Sequence, residues 1–260
     1  MKKSRLHWEH DEGYFSHKTD DFERIFKNPE NTRNELVLPQ PVPGKVPSRL
    51  NGDMNDFIEP VRNAILRDDT GNIQSKIIGL TSAKNGEGVS TIAAGLAVTI
   101  SHHQEGRVLF VDCNFTNPAV HQLFSLQLSP GFCDIIRENL SLGSVVNNID
   151  SPYLDVLTAG VHNPGDLVLT TSRLRNMFDL FLQEYQYIVL DLPSVERSHQ
   201  TCIAFSEFSD GIILIIECER TRAESLRHVV ESFEHSHINL IGVVINKRKY
   251  YLPDWLYNLL

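Results

Sequence analysis

From residue 76 onward, short apolar runs alternate with longer stretches whose apolar positions recur every three or four residues. The short runs, at 76–80, 107–112, 153–158, 187–191, 211–217 and 240–246, read as strands. Several of them, such as Gly211-Ile212-Ile213-Leu214-Ile215-Ile216, are β-branched with no polar break, as in strands buried on both faces. The longer stretches predict helices over 90–102, 119–124, 171–185 and 222–235. Strands alternating with helices in this order predict an α/β fold, a mainly parallel sheet sandwiched by helices. Ligands of such sheets bind at the carboxyl ends of the strands. No internal repeat is visible.

The pattern breaks down ahead of residue 55. Residues 1–54 are polar, with Pro39, Pro41, Pro43 and Pro47 crowded together, and they offer too little apolar surface to offset the entropy of ordering. A flexible arm over 1–54 followed by a domain over 55–260 is therefore expected. Within the arm, 21–28 gathers Phe22, Ile25 and Phe26 on one helical face, which serves either as a transient turn or as a docking element. A helix is predicted over 56–67 from Phe57, Val61, Ile65 and Leu66, with Pro60 in its first turn.

Composition narrows the function. Thirty-three acidic against 24 basic residues give a net charge of −9, which disfavours general attraction to nucleic acid or anionic lipid. The four cysteines, Cys113, Cys133, Cys202 and Cys218, show no CxxC or zinc spacing and read as reduced, mostly buried thiols. No apolar run approaches the ~18 residues of a membrane span. The opening Met-Lys-Lys-Ser leads into polar residues, so a soluble cytoplasmic protein is expected.

The chemistry concentrates in Leu80-Thr81-Ser82-Ala83-Lys84-Asn85-Gly86-Glu87-Gly88-Val89-Ser90-Thr91. A strand, a glycine-rich turn and a helix in sequence form the context in which backbone N–H groups cradle phosphate. Gly86 and Gly88 permit the turn, the helix starting near Ser90 presents its positive dipole end, and a hydroxyl there suits Mg²⁺. Val89 stands where a phosphate-binding loop carries its lysine, so the cradle lacks its principal charge. Two further strands end in carboxylates, Asp112 and Asp191, at the same edge of the sheet. A single strand-end aspartate often caps a turn; two beside a phosphate loop point to a nucleotide site.

These three elements resemble the Walker A, Walker A′ and Walker B motifs of the bacterial tyrosine kinases of capsule and exopolysaccharide synthesis, deviant P-loop ATPases allied to the partition and cell-division ATPases. The resemblance extends through Asn117-Pro118-Ala119-Val120-His121-Gln122-Leu123-Phe124, Pro130-Gly131-Phe132-Cys133-Asp134, Asn163-Pro164-Gly165-Asp166-Leu167 and Gly242-Val243-Val244-Ile245-Asn246-Lys247-Arg248. It implies that residues 84–91, that is Lys84, Asn85, Gly86, Glu87, Gly88, Val89, Ser90 and Thr91, line the phosphates. Ser90 and Asp191 would then serve Mg²⁺, Asp112 would orient the acceptor, and Asn246 would contact adenine.

The departures from that family are specific. Val89 replaces lysine, Asn114 replaces a second aspartate, and Thr116 replaces an arginine. Each lost charge costs phosphoryl transfer on the order of 10²- to 10³-fold. The tyrosine-rich tail of the family is reduced to Tyr250, Tyr251 and Tyr257, and its oligomerisation motif to Glu59 and Arg62. Lys84 holds the position of the signature lysine of the wider superfamily, a second source of positive charge. After Lys247-Arg248-Lys249, residues Leu252, Trp255, Leu256, Leu259 and Leu260 fall on one helical face, suited to packing on the domain or a partner, or to touching a membrane.

The expectation is a catalytically impaired regulator that binds ATP and Mg²⁺ weakly or not at all. It would sit at the inner face of the plasma membrane beside a polysaccharide co-polymerase, with self-association as a further expectation and no nucleic-acid partner. An active tyrosine autokinase or ATPase using Lys84 is the alternative, and a partition or positioning ATPase the third.

Overall fold

A computed structural model describes residues 44–50, 58–59, 61–62, 76–103, 106–138, 140–151, 153–162 and 169–247. The sequence features at 21–28, 163–167 and 248–260, and most of the helix predicted over 56–67, lie outside these residues; 58–59 and 61–62 are helical.

Among the described residues, seven strands form one sheet in the order β3-β4-β2-β5-β1-β6-β7. They are β1 (Lys76–Ser82), β2 (Val108–Asp112), β3 (Asn147–Asn148), β4 (Leu154–Leu157), β5 (Tyr187–Asp191), β6 (Gly211–Glu217) and β7 (Leu240–Asn246). Every pairing is parallel except that of β3 with β4. The central strands β1, β2 and β5 are buried along nearly their whole length, as their unbroken apolar runs require.

The connecting helices are α1 (Val89–His102), α2 (Val120–Leu123), α3 (Phe132–Glu138), α4 (Leu142–Val145), α5 (Thr171–Glu184), α6 (Val195–Ser206) and α7 (Ala223–His235). Of these α3, α4 and α6 were not predicted, nor was β3. Alternate side chains of each strand supply two cores. On one face Ile78, Leu80, Phe110, Val189 and Ile213 pack against Ile92, Leu96 and Ile100 of α1. On the other, Leu109, Ile188 and Leu190 meet Phe178 and Phe181 of α5, Phe205 of α6 and Phe233 of α7. Each such side chain contributes about 1.5–3 kcal/mol on burial.

Part of the predicted arm packs on the domain. Gly44 bridges to Ile149, Lys45 donates its N–H to the Phe124 carbonyl at 3.2 Å, and Leu50 is fully buried against the α1 core. The four cysteines are free thiols. Among the described residues, no helix is long and apolar enough to cross a membrane.

Candidate functional site

The strand order brings the carboxyl ends of β1, β2 and β5 together, with β6 and β7 alongside β1. The loop between β1 and α1 turns through Gly86 and Gly88, both left-handed at φ 84° and 96°. At Gly88 an added Cβ would lie 2.3 Å from the Asn246 amide nitrogen, so close approach as well as φ demands glycine there. Gly88 is also the N-cap of α1 and provides no side chain to cap it. The first N–H groups of the helix are thus free to meet an anion.

Glu87 fixes the loop from within. Its buried carboxylate accepts the Lys84 N–H at 2.7 Å through Oε2, and the Glu217 N–H at 3.2 Å and the Thr221 hydroxyl through Oε1. Ser82 donates its hydroxyl to the Lys84 carbonyl at 2.7 Å. Val89 is only 9% exposed and belongs to the apolar core on the α1 face. Lys84 is half-buried, and its side chain pairs with no acid among the described residues.

The two strand-end aspartates sit side by side, Asp112 in register with Asp191, yet their surroundings differ. Asp112 accepts three backbone N–H groups, from Asn114 at 3.0 Å, Ala119 at 3.2 Å and Val120 at 3.1 Å. It therefore shapes the turn into α2. Burial pushes its carboxyl up to about 6 against the opposing pull of those N–H groups. Asp191 is fully buried and neither of its oxygens has a hydrogen-bond partner. Burial, then the neighbouring Asp112 charge, hold it well above the ordinary carboxylate range; the Ser90 hydroxyl opposes them without reaching hydrogen-bond geometry. The buried Ser194 hydroxyl, at the N-cap of α6, is likewise unpartnered and does not cap its helix.

Asn246 lies beside the loop, with its amide engaged at both ends. Nδ2 donates to the Glu87 carbonyl at 2.8 Å, and Oδ1 accepts the Lys247 N–H at 2.8 Å. Lys247 Nζ donates to the Gly86 carbonyl at 2.7 Å and meets Glu217 at 3.1 Å, which Arg220 also pairs at 3.0 Å. Hydrogen bonds from Arg220, then Lys247, hold Glu217 below its usual range. Arg197 of α6 donates to the Thr116 hydroxyl at 3.2 Å.

Every sequence-predicted site residue thus lies on this edge of the sheet. The residues missed were Ser194, Arg197, Glu217, Thr221 and Lys247. The run Asp191-Leu192-Pro193-Ser194 carried one signal, a serine in N-cap position after a strand; contacts that reach from β6 and β7 to the loop left none.

The arrangement suits a phosphate with a divalent cation. An uncapped helix N-terminus faces the edge at which an orphaned carboxylate and an unpartnered hydroxyl are buried. Val89, turned into the core, is the misfit.

No family model matches the chain. Its sequence is 29% identical over 177 residues to the tyrosine-protein kinase YwqD of Bacillus subtilis, covering 68% of this chain and 74% of YwqD. The chimerical protein CapA2B2 superposes with a TM-score of 0.70 at 25% identity, covering 82% of this chain and 97% of that one. The chain is a relative of the bacterial tyrosine kinases. EpsB of Ralstonia solanacearum, whose name assigns it provisionally to the tyrosine-protein kinases, is 29% identical over 180 residues. Those residues make up 68% of this chain and 23% of EpsB, so the chain spans about a quarter of that relative's length. The fold is shared with the septum site-determining protein MinD of Pyrococcus horikoshii, which superposes with a TM-score of 0.57 at 16% identity, covering 71% of this chain and 77% of that one.

Proposed function

We propose that this chain is a tyrosine-kinase-type P-loop protein whose catalytic power is impaired and which regulates exopolysaccharide or capsule synthesis. The observation that carries this reading is the pairing of Val89, packed in the apolar core, with the unpartnered carboxylate of Asp191. The loop retains its cradle without an ammonium at its usual place, and the acidic pair has no cation from α1 to balance it. Bound Mg-ATP would supply the transferable phosphoryl group, held by amides of residues 85–90, by Ser90 and by Asp191. The tie between Asn246 and Glu87 holds the loop in place from β7. In this reading Asn246 would contact adenine and Asp112 would orient an acceptor hydroxyl.

The same reading sets the domain beside a membrane polysaccharide co-polymerase at the cytoplasmic face, and it rests on the resemblance of the loop and the two strand-end aspartates to the kinases of capsule and exopolysaccharide synthesis. Self-association through Glu59 and Arg62, which pair at 3.4 Å, belongs to the same reading. A second reading, an active autokinase or ATPase, is favoured by Lys84, whose ammonium pairs with no acid among the described residues and would serve the loop from its other end. Calorimetric titration with Mg-ATP, run on the parent chain and on Val89→Lys, tests the first reading. Weak or silent binding by the parent, with affinity gained in the variant, is expected. Tight binding by the parent that Val89→Lys leaves unchanged would overturn it.

A further inference from the structure

The edge strand β7 carries an uncovered apolar strip. Ile241, Val243 and Ile245 alternate along it and are 40%, 44% and 55% exposed, while Val244, pointing the other way, is buried in the α1 core. The register assigns the strip to the face opposite α1. Val243 pairs with Leu214 and Ile245 with Ile216, and both partners pack in the core covered by α5, α6 and α7. Three aligned aliphatic side chains on a sheet edge form a surface that natural edge strands ordinarily cover or break with charge.

We infer that the strip is the docking site of this chain's own residues 252–260, whose apolar positions are spaced for one face of a short helix. Three observations favour this occupant. First, Leu252, Trp255, Leu256, Leu259 and Leu260 follow the i, i+3, i+4, i+7, i+8 spacing of one helical face, with Pro253 in the first turn. Second, nine helical residues extend about 13 Å, and the four residue steps from Ile241 to Ile245 span about the same distance. Third, the segment leaves β7 at Lys247 with only residues 248–251 between, the short connection by which a helix folds back over the strand before it. That connection carries Tyr250 and Tyr251 and starts at Lys247, which is bonded to the phosphate loop at Gly86. The inference is independent of whether nucleotide binds.

Tryptophan fluorescence tests it in the full chain. The sequence has two tryptophans, Trp8 and Trp255, so Trp8→Phe leaves Trp255 as the sole reporter. In that background a blue-shifted emission poorly quenched by acrylamide is expected. Val243→Lys should move it to longer wavelength and raise quenching severalfold, with unchanged far-ultraviolet circular dichroism. Ile245→Lys repeats the test at the most exposed position, and Leu256→Asp with Leu259→Asp should raise hydrogen exchange across 240–246. A solvent-exposed Trp255 in the parent overturns the inference. So does a buried Trp255 that neither lysine moves, and so does burial that appears only with a dimer in light scattering, for then a second copy covers the strip.

Discussion

Two buried carboxylates near opposite ends of the sheet, Asp155 and Asp191, are treated in opposite ways. At the end away from the loop, Asp155 on β4 accepts from Arg107 at 2.6 Å, from the Tyr185 hydroxyl at 2.8 Å and from Asn148 at 2.5 Å. Arg107 also stacks 4.7 Å from the Tyr185 ring centroid, and burial together with Asp155 holds the Tyr185 phenol above its usual range. At the loop end, Asp191 is as deeply buried with no partner. A satisfied buried charge ties elements together; an orphaned one lowers stability until a ligand answers it. The first is a structural joint; the second is the feature on which the proposed nucleotide site rests.

The largest effect should follow from breaking the joint. Asp155→Ala leaves the Tyr185 hydroxyl buried and unbonded and frees Arg107, costing about 3–4 kcal/mol in denaturant unfolding. A loss below about 1 kcal/mol would remove the contrast between the two ends.

The loop end should respond with the opposite sign. A carboxyl raised to about 6 at Asp112 contributes stability that is complete below its ordinary value of 3.8 and lost as pH climbs through 6. That loss amounts to about 3 kcal/mol, and the Asp191 carboxyl, also held well above its ordinary range by burial, acts in the same direction. Melting temperature measured with chelator present should therefore fall from pH 5 to pH 8. Asp191→Asn should flatten that fall and stabilise the chain at pH 8 by about 2 kcal/mol. A flat profile in the parent would mean the pair is already balanced by a cation.

The smallest effect is expected at the rim. Lys247→Ala removes two half-exposed contacts, and stability should change by about 0.5–1 kcal/mol. Amide exchange at 85–88 should nevertheless rise, since the Gly86 carbonyl loses its donor.

Much of this contrast was legible in the chain and part was not. The strands β5, β6 and β7 match their predicted bounds because uninterrupted β-branched runs leave little else for the backbone to do. Helix α6 escaped because Val195, Cys202, Phe205 and Ser206 bury with a weak apolar contrast, and the backbone leaves helical geometry at Ser198. Helix α4 and strand β3 are too short for any period to show. At the site, the loop and both aspartates were visible as motifs. That Asp112 would be saturated by N–H groups while Asp191 stayed bare depends on the turn into α2, which no local pattern encodes.

Without a lysine at 89, the loop should not support efficient phosphoryl transfer. The most direct measurement is the ATP turnover rate of the parent chain beside Val89→Lys, Lys84→Ala and Asp191→Asn. The expected parent rate is close to that of Asp191→Asn, unchanged in Lys84→Ala and raised on the order of 10²-fold in Val89→Lys. A parent rate well above that of Asp191→Asn and abolished in Lys84→Ala would contradict it, and would make this protein an enzyme that draws its charge from the other end of the loop.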